Sequence, residues 1–206
     1  MLKPELWNYE LPWWNFPSNL LSVMVEKNVV WGNDIAVLFN IKEVVQGWRK
    51  DNDGSIHTYL ADYTHGQIVS KEKYHFGTYE LTCRLPSFRG SFPAFWLIDI
   101  DNLPPEIDIM EAPVKTCIDR FKTSATFHEK PSGDGYSHIV KSKAIWQIKD
   151  ISASDMKFTL VWKPDKLEWY VNGGLVMVLI KSETKNFPLS PMNIIVNAGV
   201  ADWNVQ

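Results

Sequence analysis

Three carboxylates within six residues, Glu106, Asp108 and Glu111, are the groups in this sequence best placed to do chemistry. They stand in Pro104-Pro105-Glu106-Ile107-Asp108-Ile109-Met110-Glu111-Ala112-Pro113, where prolines bracket a short strand-like run. In a strand, residues i and i+2 share a face, so Glu106 and Asp108 point the same way. Strict alternation would then turn Glu111 to the opposite face. One extra residue, a β-bulge at Ile109-Met110, restores Glu111 to the shared face, and bulges gather near active sites because they re-aim side chains. Carboxyl groups crowded on one face repel one another, so at least one pKa rises, as a general acid near neutral pH requires. Two carboxyl groups about 5–5.5 Å apart, one a nucleophile and one an acid/base, are what a retaining glycosidase needs. The same string also suits solvent-facing charges on an edge strand, and spacing alone does not choose.

The elements that must position these groups are strands. Helical periodicity is scarce, while β-branched and aromatic runs recur between Gly, Pro, Asn and Asp. The clearest are Ile35–Phe39, Tyr79–Leu85, Ala94–Ile98, Ile107–Met110, Phe158–Trp162, Leu167–Val171, Leu175–Ile180 and Asn193–Val196. Such spacing predicts an all-β sandwich or barrel. Asn172-Gly173-Gly174 between two of these runs predicts a tight hairpin, because Asn-Gly supplies the positive φ angles such a turn needs. Trp48 to Asp53 reads as a solvated turn, and residues 129–150 as a long polar excursion between strands.

At 206 residues, 1–206 is read as one domain, long enough to bury a core without staples. Ten Trp, ten Phe and seven Tyr suit both a large β core and the ring-stacking surfaces of a sugar cleft. A net charge of -3 with no Lys/Arg stripe gives no case for nucleic acid. No segment approaches the roughly 18 apolar residues that a membrane span requires. Cys83 and Cys117 are too few to define a disulfide framework, and whether they pair stays open. The opening Met1-Leu2-Lys3-Pro4-Glu5 lacks the apolar stretch of a secretory signal, so either the chain works inside a cell or a leader has been removed.

The run Glu106 to Glu111 resembles, letter for letter, the bulged Glu-Ile-Asp-Ile-Met-Glu signature of glycoside hydrolase family 16. The resemblance extends in order through Phe76–Pro86, Ser91–Leu97, Thr126–His128, Trp162–Lys166, Trp169–Gly173 and Pro191–Asn197, covering about residues 60 to 203. It implies a concanavalin A-like β-jelly-roll sandwich of two antiparallel sheets with a concave substrate cleft. It further implies Glu106 as nucleophile, Glu111 as acid/base and Asp108 between them, tuning both. Phe92, Trp96, His128 and Asn197 match positions of the family's cleft, with His128 set to hydrogen-bond either Asp108 or substrate. The implied activity is endo-hydrolysis of a β-1,3- or β-1,3-1,4-glucan of the laminarin kind. A galactan-directed activity on agarose or carrageenan, and a non-catalytic carbohydrate-binding jelly roll, are the alternatives.

Several positions depart from the family pattern. Phe92 stands where Trp is usual, Thr82 where Arg is common and Val161 where Glu is frequent. The usual Gly-Gly is replaced around Ala201-Asp202. None is a carboxylate of the signature, so they bear on substrate more than on reaction. The Arg-to-Thr change leans against sulfated substrates. Family members continue to a final strand that closes the outer sheet. Its counterpart is missing here, so a truncated record, a substituting N-terminal segment or an open edge is expected. Catalysis by carboxylates requires no cofactor and no metal in the site, while the structural calcium common in the family has no ligands assignable here. The expected partner is a polysaccharide, with no nucleic acid and no membrane, and a monomer as the default. The resemblance suggests secretion.

Overall fold

The protein is described by a computed structural model covering residues 3–13, 21–51, 53–102, 105–129 and 138–201. Pro104, residues 130–137 of the expected excursion, and Asp202 with Trp203 lie outside the described residues. In chain order the strands are β1 (Trp7–Asn8), β2 (Ser22–Met24), β3 (Val29–Gly32), β4 (Ile35–Leu38), β5 (Asn40–Lys50), β6 (Ile56–His65), β7 (Gln67–Ser70) and β8 (Gly77–Cys83). Then follow β9 (Ser91–Ile98), β10 (Glu106–Glu111), β11 (Lys122–Glu129), β12 (His138–Trp146), β13 (Met156–Trp162), β14 (Lys166–Val171), β15 (Gly174–Ile180) and β16 (Asn193–Val200). Helical structure among the described residues is limited to short 3-10 turns.

Two antiparallel sheets make the jelly-roll sandwich. One has seven strands in the order β1-β7-β16-β9-β10-β11-β12, and the other has four in the order β15-β14-β13-β8. A three-stranded sheet β2-β6-β5, whose β2–β6 pair is parallel, and the β3–β4 hairpin complete the structure. Alternation decides what lies between the two main sheets. Leu97 of β9, Ile107 of β10 and Phe127 of β11 turn inward to meet Phe158 and Leu160 of β13 and Leu167 and Trp169 of β14. The inward set on β10 and β11 fixes where the outward set must be.

The hairpin at Asn172 forms as expected: Asn172 (φ 50) and Gly173 (φ 81) both take the left-handed region, and β14 pairs with β15 across them. The excursion expected over 129–150 is corrected in its second half, where residues 138–146 form β12, the edge of the seven-stranded sheet. Its polar composition hid it. Of its side chains Val140 and Ile145 pack on the core, while Ser142 and Lys143 stay exposed. The turn at 48–53 is also shifted, since β5 continues through Lys50 and the Asp51 N–H donates to the Ser55 carbonyl, with Gly54 at φ 87; Asn52 lies outside the described residues.

Cys83 and Cys117 are both free thiols. Strand β8 pairs with β13 on one side. Its other edge borders a groove of about 730 Å³ between Ile35 and Val37 of β4 and a floor of Phe95, Ile194 and Val196.

Trp169 ties the two sheets together at the point where chemistry is expected. It is 1% exposed, and its indole N–H donates to the Asp108 carbonyl at 3.0 Å. Trp169→Phe leaves that carbonyl unpaired and opens a small void, so a loss of about 2 kcal/mol is expected. The check is a lower midpoint in urea at unchanged m-value.

Candidate active site

Strand β10 is hydrogen-bonded on both sides, and the two registers show how it presents its carboxylates. Glu106 lies opposite Ile98 of β9 and His128 of β11, and Asp108 lies opposite Trp96 and Thr126. Glu111 lies opposite Ala94 and Ser124. Three residues therefore separate Asp108 from Glu111 on β10, against two on each neighbour. This is a β-bulge at Ile109-Met110, where the alternation of apolar and acidic residues places it. Both bulge residues turn into the core, Ile109 at 3% and Met110 at 1% exposure. All three acids consequently share the outer face of the seven-stranded sheet. The four-residue spacing on the neighbours sets the Glu106 and Glu111 backbones roughly 13 Å apart. Asp108 lies between them, hydrogen-bonded to Glu106, and the Glu111 charge acts on both.

The hydrogen bonds converge on Asp108. The His128 ring, through Nε2, lies 3.0 Å from Asp108 Oδ2, and Glu106 also hydrogen-bonds Asp108. Thr126 hydrogen-bonds Glu111. Of the two partners open to His128 in the sequence, the structure supplies Asp108. Burial is the main influence on all three carboxyls, and it disfavours their charged forms. It raises Glu106 well above the usual carboxylate range, helped by the Asp108 charge and opposed by His128. Asp108 is also raised well above its usual range, by burial and then by the Glu111 charge. Glu111 is raised by burial, with His128 and Thr126 opposing. In such a site the three carboxyls resist being ionised together. A carboxyl that keeps its proton there can act as an acid, while its ionised neighbour can act as a nucleophile.

Raised carboxyl pKa values also make a statement about stability. Each group binds its proton more tightly in the folded state, so the site favours folding fully below about pH 4, the unfolded carboxyl range. That contribution is lost as pH rises through the higher folded values. Glu106→Gln cannot ionise, so a higher Tm than wild type is expected at pH 7, by about 2–4 °C for each kcal/mol of strain relieved. The difference should close as the pH approaches about 4. Thermal melts across that range provide the check.

Trp96, Phe92 and Asn197 lie on the Asp108–Glu111 side of the same sheet, next to the acids. Trp96 is half-buried, and its indole N–H donates to Asn197 Oδ1 at 2.9 Å. The Asn197 amide in turn donates to the Phe92 carbonyl at 3.4 Å. Asn197 is thus engaged in fixing the Trp96 ring, while Trp96 and Phe92 present aromatic surface. Leu11, Met24, Val69, Ile98 and Ile195 form a second apolar cluster beneath Trp96.

Glu106, Asp108 and His128 each bring a ligand atom within 4.8 Å of the others, so the set could hold a metal ion. The same groups also hydrogen-bond one another, Glu106 and His128 each to Asp108.

Reasoning from sequence missed Thr126, Ser142 and Trp169 as parts of this site. Thr126 was legible only as the residue two before His128. Ser142, bonded to Thr126 at 3.2 Å, stands on the strand taken for a loop. The Trp169 bond to Asp108 joins residues 61 apart and leaves no local signal.

The family model described as glycosyl hydrolases family 16 matches residues 28–205. An endo-1,3-1,4-beta-glycanase, EglC, of Rhizobium meliloti (strain 1021) is 27% identical over 142 residues. That alignment takes in 68% of this chain, and the chain spans 28% of that relative's length. A beta-glucanase of Rhodothermus marinus is 23% identical over 229 residues, covering 98% of this chain and 72% of its own. The catalytic domain of an endo-1,3-beta-glucanase (laminarinase) from Thermotoga petrophila RKU-1 superposes with a TM-score of 0.78 at 26% identity. It covers 98% of this chain and 83% of that one.

Proposed function

We propose that this chain, which belongs to glycosyl hydrolases family 16, is a retaining endo-β-glycosidase acting on β-1,3- or β-1,3-1,4-glucan. The observation that carries the reading is the bulge at Ile109-Met110, which brings Glu106 and Glu111 onto one face with Asp108 between them. The Glu106 carboxylate attacks the anomeric carbon while the bond to the leaving oxygen breaks. Glu111 gives its proton to that oxygen, and a glycosyl ester on Glu106 remains. Glu111, now a carboxylate, takes a proton from water as the water oxygen attacks the same carbon, and Glu106 is released. Asp108, anchored by His128, hydrogen-bonds Glu106 and positions its carboxyl for attack. Two inversions at one carbon leave the product with the configuration of the substrate.

The substrate assignment rests on two of the relatives above, named as a beta-glucanase and an endo-1,3-beta-glucanase, and on the aromatic surface of Trp96 beside the acids. The test follows new reducing ends from laminarin, mixed-linkage glucan, agarose and carrageenan with wild type and Glu106→Ser. Release from a β-glucan that vanishes in the variant supports the reading. Release from agarose or carrageenan alone would move the substrate to a galactan, and silence on all four would favour a binding module.

A further inference from the structure

Trp146 is 61% exposed at the edge of the sheet that carries the acids, an unusual place for the largest apolar side chain. Its face of the sheet follows from register. Thr126 hydrogen-bonds Glu111 and therefore lies on the outer face, and Ser142 sits beside it, joined at 3.2 Å. Alternation along β12 puts Ser142, Ala144 and Trp146 on that face, opposite Thr126, Ser124 and Lys122 with no shift in register. Val140 and Ile145 turn to the core instead. The ring is also held in place: Lys122 Nζ lies over it, 5.7 Å from the centroid, and is itself fixed by Asp119 Oδ1 at 2.8 Å. An aromatic surface ordered before binding loses little freedom when a ligand stacks on it.

Position says which part of a ligand would reach it. Along the strands, the order runs from the Glu106 row through Asp108 to Glu111, and the Lys122–Trp146 row is the next beyond. Across the strands, β12 is two away from β10, roughly 10 Å. An acid that protonates the leaving oxygen stands beside the departing portion of the substrate, and the nucleophile stands on the far side of the anomeric carbon. Trp146 therefore lies on the leaving-group side of the scissile bond, past Glu111. Lys122 and Asp119 neutralise each other there, so the surface suits an uncharged pyranose ring.

Resting on the glycosidase reading above, we propose that Trp146, positioned by Lys122, is a stacking platform for a sugar residue of the leaving group. It would make the enzyme favour chains that extend beyond the cleavage point.

The experiment compares wild type, Trp146→Ala and Lys122→Met on two substrates. One is a β-glucan polymer. The other is a nitrophenyl glycoside of a short β-gluco-oligosaccharide, whose leaving group ends next to Glu111. The expected result for Trp146→Ala is a kcat/KM on the polymer lower by roughly tenfold, carried by KM, with the nitrophenyl substrate unchanged within about twofold. Trp146→Phe should recover part of the loss, and Lys122→Met should show a smaller loss of the same kind. Equal losses on both substrates, or none on either, would overturn the platform. If wild type cleaves neither, the glycosidase reading fails separately, and calorimetric titration of the unmodified oligosaccharide still decides. Weaker binding to Trp146→Ala than to wild type then supports the platform, and equal or absent binding overturns it.

Discussion

Replacing Glu106 by glycine is expected to lower kcat on a β-glucan by about 10⁴-fold or more, because no covalent intermediate can form without the carboxylate. The fold should survive. Glu106 keeps some exposure, and its removal relieves the burial of its charge and the repulsion from Asp108 that together raise its pKa. A circular dichroism spectrum and a Tm no lower than wild type at pH 7 separate lost chemistry from lost structure. Azide then tests the role itself. It occupies the space vacated by the carboxylate and attacks the anomeric carbon of a substrate with a good leaving group. A single displacement gives the α-glycosyl azide. Formation of the β-azide, or retention of a tenth of the wild-type rate, would remove Glu106 from the nucleophile's position.

Glu111→Ala is expected to lower kcat on the polymer by about 10²–10⁴-fold, the usual range for a general acid. A nitrophenyl leaving group needs no proton, so its departure should be nearly unaffected, and azide should now give the β-glycosyl product. The pH profile carries the same information. Burial raises the Glu111 pKa, and the proposed acid role requires its protonated form, so wild-type activity is expected to fall as pH rises through that value. In Glu111→Ala that alkaline fall should disappear. If polymer and nitrophenyl substrate lose activity equally, Glu111 is supporting the site rather than transferring a proton.

The place of the bulge in the acidic strand was legible because its information is local, whereas the catalytic reading of the acids came from the resemblance and not from spacing. In Glu106-Ile107-Asp108-Ile109-Met110-Glu111 the two adjacent apolar residues interrupt the alternation, and a bulge is the one way to keep all of them buried and all three acids together. The Asn172-Gly173 hairpin was legible for a similar reason, since two positive φ angles in succession demand those residue types.

Other elements carry weaker local signals. Strand β12 lies at an edge, buries little, and spells Lys141-Ser142-Lys143 at its centre, so composition reads as loop. Strand β5 shifts register between Lys42 and Val45, which breaks the two-residue period that would have revealed it. Trp146 was hidden with β12, because a tryptophan in a presumed loop has no assignable face. The link from Trp169 to Asp108 depends on how the two sheets stack, and no window of sequence contains both residues.

Double displacement at a β-linkage, with Glu106 and Glu111 in the proposed roles, underlies the expectations for activity above. Its most direct test is the anomeric proton signal of the first product released from laminarin or mixed-linkage glucan, followed by NMR before mutarotation equalises the anomers. The β-anomer is expected first, with the α-anomer growing in later. Early appearance of the α-anomer would show a single displacement and contradict the roles given to both glutamates.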